Sequence, residues 1–129
     1  MIKNPTDLHS CIENLQANVF VADKDFNLVY MNAHARKTLE AIEPKIQEVF
    51  QLNVDDMQGG SIHRFHRDPK KVESILRNPS ALPHEADFEF GDIILRTVIN
   101  AAWDETGQLE AYVVNWEDIT ESKKLESAL

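Results

Sequence analysis

The chain has 129 residues, 43% of them hydrophobic, and a formal net charge of −9 at pH 7. This length supports one hydrophobic core rather than two, and the apolar fraction excludes wholesale disorder. The acidic balance excludes nucleic acid as a partner, because phosphate backbones reward a basic face. The lone cysteine, Cys11, excludes an intrachain disulfide and a multi-thiolate zinc site.

The chain opens with "NPTDLHSCIENLQ", where Leu8, Cys11, Ile12 and Leu15 recur at helical spacing. An amphipathic helix is predicted within residues 1–17, with Ser10 and Glu13 as a candidate capping box. The period then changes. In "NVFVADKDFNLVYMN", the apolar runs Val19–Ala22 and Leu28–Met31 flank Asp23-Lys24-Asp25, which predicts a hairpin. Asn32 is a good N-cap for a helix carrying Ala35, Leu39 and Ile42 on one side. Pro44 interrupts that helix, and "KIQEVFQL" continues as an irregular helical piece.

Gly59-Gly60 breaks the chain before "SIHRFHRDP". After Pro69, Val72, Ile75 and Leu76 share one face of a further helix, which Asn78-Pro79 ends. The last third is strand. In "EADFEF", Ala86, Phe88 and Phe90 alternate with Asp87 and Glu89. Turns at Gly91-Asp92 and Asp104–Gly107 lead into "IILRTVINAAW" and "LEAYVVNW". Leu95, Thr97 and Ile99 then share one strand face, as do Tyr112, Val114 and Trp116, with Arg96, Asn100 and Asn115 directed outward. The closing "DITESKKLESAL" returns to helix, with Ile119, Leu125 and Leu129 as its apolar positions.

This order predicts an α+β fold: a five-stranded antiparallel sheet, short helices on one face, and flanking N- and C-terminal helices. The expected organisation is a leading helix at 1–17, a domain at 18–121, and the start of a linker helix at 122–129. No apolar run approaches the roughly 20 residues of a membrane helix. A cytoplasmic location without direct membrane contact is therefore expected. No nucleophile elbow, phosphate loop or paired-carboxylate arrangement is found, and enzymatic activity is not expected.

The stretches "NVFVADKDFNLVYMN", "GGSIHRF" and "DETGQLEAYVVNWEDIT" resemble a PAS domain, a sensory module of bacterial signalling proteins. The resemblance covers about residues 15–121. It implies that Asp118, Ile119 and Thr120 relay a signal from the last strand to an exiting helix. These residues also suit a plain helix cap. Within that family, Phe65-His66-Arg67-Asp68-Pro69 and Trp116 are similar to a group of haem-binding PAS domains of soluble aerotaxis and chemotaxis receptors.

That resemblance implies haem b, with His66 on a short helix as the axial iron ligand and Trp116 on the side that meets a diatomic gas such as O2. Leu95, Thr97, Ile99, Phe65 and Val114 would complete the pocket, and Arg64, Arg67, Lys70 and Lys71 would offer charge to the propionates. It further implies a homodimer and an output domain of methyl-accepting, kinase or cyclic-nucleotide type. The chain departs from the group at Lys71, where a second histidine is common, at Thr97, where a bulky aliphatic is expected, and at Ala101, where a proline often stands. Thr97 makes the expected pocket more polar.

Bland alternatives stand beside these readings. His66 also suits a polar surface or a satisfied core position. His63 is the rival ligand, or a solvated turn residue. A zinc site from His63, His66 and His84 has no carboxylate spacing to support it. His9 and His34 fall on polar helical faces, and Trp116 is expected to be buried with or without haem. Cys11 lies in the leading helix, away from where a flavin–thiol adduct or thioester chromophore would need it. A cofactor-free dimerisation module, a non-covalent flavin and a small organic ligand remain as alternatives to haem.

Overall fold

The computed structural model describes residues 5–128. The predicted sheet is present: β1 (Asn18–Asp23), β2 (Leu28–Met31), β3 (His84–Phe90), β4 (Ile93–Trp103) and β5 (Leu109–Asp118). All pairings are antiparallel, in the order β2-β1-β5-β4-β3. The first hairpin and the last meander therefore meet at β1 and β5, where Asn18 pairs with Trp116 and Ala22 with Tyr112.

Side chains make the turns. Asp23 Oδ1 accepts from the backbone N–H groups of Asp25 and Asn27, which folds the first hairpin back through Phe26 at φ 65°. Asp104 Oδ1 does the same for Thr106 and Gln108, with Gly107 in the left-handed region. Connections this short cannot make the crossover that parallel pairing requires.

The helices are α1 (Pro5–Glu13), α2 (Ala33–Ala41), α3 (Glu43–Phe50), α4 (Pro69–Leu76) and α5 (Thr120–Ala128). Residues 1–4 and Leu129, parts of the expected terminal helices, lie outside the described residues. Ser10 lies inside α1 rather than at its start, so the expected capping box does not form; proline is well suited to open a helix, and α1 begins at Pro5. Pro44 likewise sits in the first turn of α3, so it starts a helix as well as separating it from α2.

Leu28, Met31, Ala35, Leu39, Ile46 and Trp116 belong to the main buried cluster, and Ala22, Phe26, Leu76 and Tyr112 form a second. The terminal helices leave Leu8 49% and Leu125 66% exposed, whereas Ile12 is half-buried and Ile119, just before α5, is buried. Among the described residues, no helix is long and apolar enough to cross a membrane.

Candidate functional site

The inward face of the sheet and the helices packed on it line a partly open cavity of about 270 Å3. Strand alternation decides who faces it. Leu95, Thr97 and Ile99 of β4 line it, as do Val114 and Trp116 of β5, with Phe65 and His66 on the opposite wall. These seven were singled out from sequence, and the fold brings them all to one cavity. Phe50 was missed. It packs against Phe65, Phe88 and Phe90 at centroid distances of 5.1, 6.1 and 5.2 Å. Its position one turn after Ile46 in α3 was the available signal.

His66 does not sit on a helix. A single 3-10 turn spans Ile62–Phe65, and His66 follows it in an extended conformation, φ −109° and ψ 133°. The next helix cannot include it, because Asp68 caps Lys71 N–H and Pro69 takes the first helical position. His66 is thus held between two anchored ends. Phe65 packs inward beside it, on the main cluster.

Burial, followed by the nearby His63, lowers the pKa of His66 below its ordinary 6.5. The neutral ring is thereby favoured, the form in which imidazole binds metals. A depressed histidine pKa makes the unfolded chain the stronger proton acceptor, so this contribution is present above pH 6.5 and lost as pH falls towards the folded value. We expect the urea midpoint to drop between about pH 7.5 and about pH 5.5, and to drop less in His66→Gln. Equal drops in the two proteins would refute this.

His63 is not a solvated turn residue. Its Nδ1 lies 3.1 Å from Nδ1 of His66, its ring packs 5.4 Å from that of Phe26, and its Nε2 is buried without a hydrogen-bond partner among the described residues. The 3-10 turn, anchored where Ser61 Oγ accepts from His63 N–H, turns the ring inward. His34 also has a role: its Nδ1 lies 2.7 Å from Asn18 Oδ1, tying α2 to β1.

Trp116 is 5% exposed, and its Nε1 has no hydrogen-bond partner among the described residues. A buried donor in that state costs about 1 to 3 kcal/mol unless something accepts from it. Thr97 does not add the polarity expected of it, because its hydroxyl donates to Ala86 O at 3.0 Å across the β3–β4 pair. Arg64 is not free for anionic groups, since it donates to the carbonyls of Asp56, Met57 and Ser61. Arg67, Lys70 and Lys71 remain exposed. Two imidazoles, His66 and His84 at the start of β3, border the cavity; with its apolar walls and the orphaned indole N–H they are a donor set that fits haem.

The strand end is closely bonded. Asp118 Oδ1 accepts from Thr120 N–H at 2.9 Å and from the Thr120 hydroxyl at 2.6 Å. Thr120 Oγ1 in turn accepts from Ile94 N–H at 3.0 Å, and Ile119 N–H donates to Ile94 O at 2.9 Å. The start of α5 is therefore fastened to the residue preceding Leu95 in the cavity wall.

No protein-family model matches the chain. It is 26% identical, over 92% of its length, to the methyl-accepting chemotaxis protein McpB of Pseudomonas aeruginosa, and spans 18% of that protein. Among solved structures, the Aer2 receptor from Vibrio cholerae, described as a dual PAS-haem oxygen sensor, superposes with a TM-score of 0.75 at 26% identity. That match covers 80% of this chain and 94% of the other. A PAS domain from Colwellia psychrerythraea superposes with a TM-score of 0.59 at 13% identity, over 90% of this chain and 97% of that one.

Proposed function

With the PAS fold as its premise, and with similarity to a PAS-haem oxygen sensor and to a methyl-accepting chemotaxis protein, we propose that this domain binds haem and senses a diatomic gas. The observation that carries the reading is the cavity shared by a half-buried imidazole and an indole N–H without an acceptor. Haem would supply an iron with a position open to a small gas. His66 supplies the nitrogen donor. Leu95, Ile99, Val114 and Phe65 exclude water from the site, and Trp116 offers the hydrogen bond.

Signal transfer follows from the strand-end bonding. Trp116 lies two residues before Asp118 on β5, and Leu95 follows Ile94, the residue bonded to Ile119 and Thr120. A shift of either strand moves the start of α5. The parent chain would carry a signalling output domain beyond α5, and the exposed Leu8 and Leu125 suit pairing with a second copy.

Haem added to the purified protein should produce a Soret band. Its failure to appear at stoichiometric haem would overturn the proposal. In the loaded protein, Trp116→Leu should retain the band and release gas roughly 5- to 150-fold faster, the equivalent of one hydrogen bond of about 1 to 3 kcal/mol. An unchanged release rate would remove Trp116 from the gas site.

The cavity's size favours a second reading. At about 270 Å3 it lies just under the range of roughly 300 to 1,000 Å3 common for drug-sized ligands. A domain that binds a small apolar molecule, or that acts only as an interaction module, fits this volume. Such a protein would show no Soret band.

A further inference from the structure

Resting on the haem reading above, we infer that His63 is a positioning residue that selects the tautomer of His66 and leaves the His66 Nε2 lone pair available to a metal. The geometry is a chain of groups running inward from the surface. Arg77 lies 3.4 Å from Glu73 Oε1, and the same oxygen lies 3.7 Å from His63 Nε2. His63 Nδ1 is 3.1 Å from His66 Nδ1, and His66 borders the cavity.

Two ring nitrogens at hydrogen-bonding distance share one proton, so one donates and the other accepts. Glu73 breaks the symmetry. Its carboxylate attracts a proton to the buried Nε2 of His63, which otherwise has no partner among the described residues. With Nε2 protonated, the neutral His63 ring has a bare Nδ1 and becomes the acceptor. His66 must then donate from Nδ1, and its second nitrogen is unprotonated. The partner of one imidazole nitrogen thus fixes the state of the other, and a hydrogen bond of this kind also orients a ligating ring and raises its basicity. The inward turn of His63 follows from its place on the 3-10 turn and its contact with Phe26.

Nitrogen NMR of the 15N-histidine-labelled protein without haem tests this directly. His66 should show a protonated Nδ1 and a bare Nε2, and His63 the reverse. His63→Leu should move His66 towards the Nε2–H form, and His63→Gln, whose amide oxygen can accept, should move it back. In the haem-loaded protein, His63→Leu should lower the iron–histidine stretching frequency and shift the reduction potential positively. Glu73→Gln should do the same to a smaller extent. A wild-type His66 protonated at Nε2 would overturn the inference, whatever the variants do, and so would a tautomer indifferent to His63→Leu. If the tautomers are as stated but His66→Ala still binds haem, the haem reading fails instead.

Discussion

A His66→Ala protein is expected to show no Soret band at haem concentrations that saturate the wild type, whereas His63→Ala retains one. His66 lies in the cavity wall, and His63 reaches that wall through the His66 ring. Removing His66 deletes the nitrogen donor that the cavity offers from that wall. Removing His63 leaves the donor in place and alters its orientation and electronic character. The flanking anchors, Phe65 in the core and Pro69 at the start of α4, should keep the segment folded in both variants. Absorption titration with haem, checked against circular dichroism for folding, gives the answer. A folded His66→Ala protein with wild-type affinity would exclude this residue as the ligand. Weak residual binding through the apolar walls alone would lack the spectrum of an imidazole-bound iron.

The second large effect concerns the fold. Asn32→Ala should destabilise the domain by about 3 to 5 kcal/mol, a large share of the roughly 5 to 15 kcal/mol that holds a typical domain together. Asn32 is 0% exposed. Its Oδ1 accepts from Val19 N–H at 3.1 Å and from Ala35 N–H at 3.0 Å. Its Nδ2 donates to Ile12 O at 3.1 Å and to Ala17 O at 2.8 Å. One amide therefore ties β1 and α2 to α1 and to the connection that follows it. Truncation leaves four backbone groups without that partner, each costing about 1 to 3 kcal/mol where water cannot reach it. Water admitted to the space limits the total. Asn32→Asp keeps the acceptor but sets a carboxylate oxygen against the carbonyls of Ile12 and Ala17, so it should destabilise the domain as well. A loss below about 1 kcal/mol in urea denaturation would show that the network contributes little.

Both predictions bear on how far the sequence could be read. Asn32 was legible as a helix cap, and it does accept from Ala35 N–H. The other three bonds were not, because Val19, Ala17 and Ile12 reach it only after the hairpin has folded. The cavity wall was legible to an unusual degree. Leu95, Thr97, Ile99, Val114 and Trp116 were assigned from strand alternation, which is a local property, and a sheet buried on one face enforces it. Phe50 was lost because a short helix gives too few turns to define a face.

The sequence by itself determined the strands, their antiparallel order and which of their side chains turn inward, since those follow from period-two patterning and short turns. The pairing of His66 with Trp116 came from the resemblance to haem-binding PAS domains, not from patterning. Only the tertiary structure decided what each group meets. Thr97 satisfies its hydroxyl on Ala86, 11 residues away. Arg64 is held by carbonyls of Asp56 and Met57 instead of facing a ligand. His63, which looked like a loop residue, is turned onto His66 with Glu73 behind it. Hydrogen-bond partners, burial and ring tautomers depend on which distant segments come within about 3 Å of one another, and residue spacing along the chain carries no record of that.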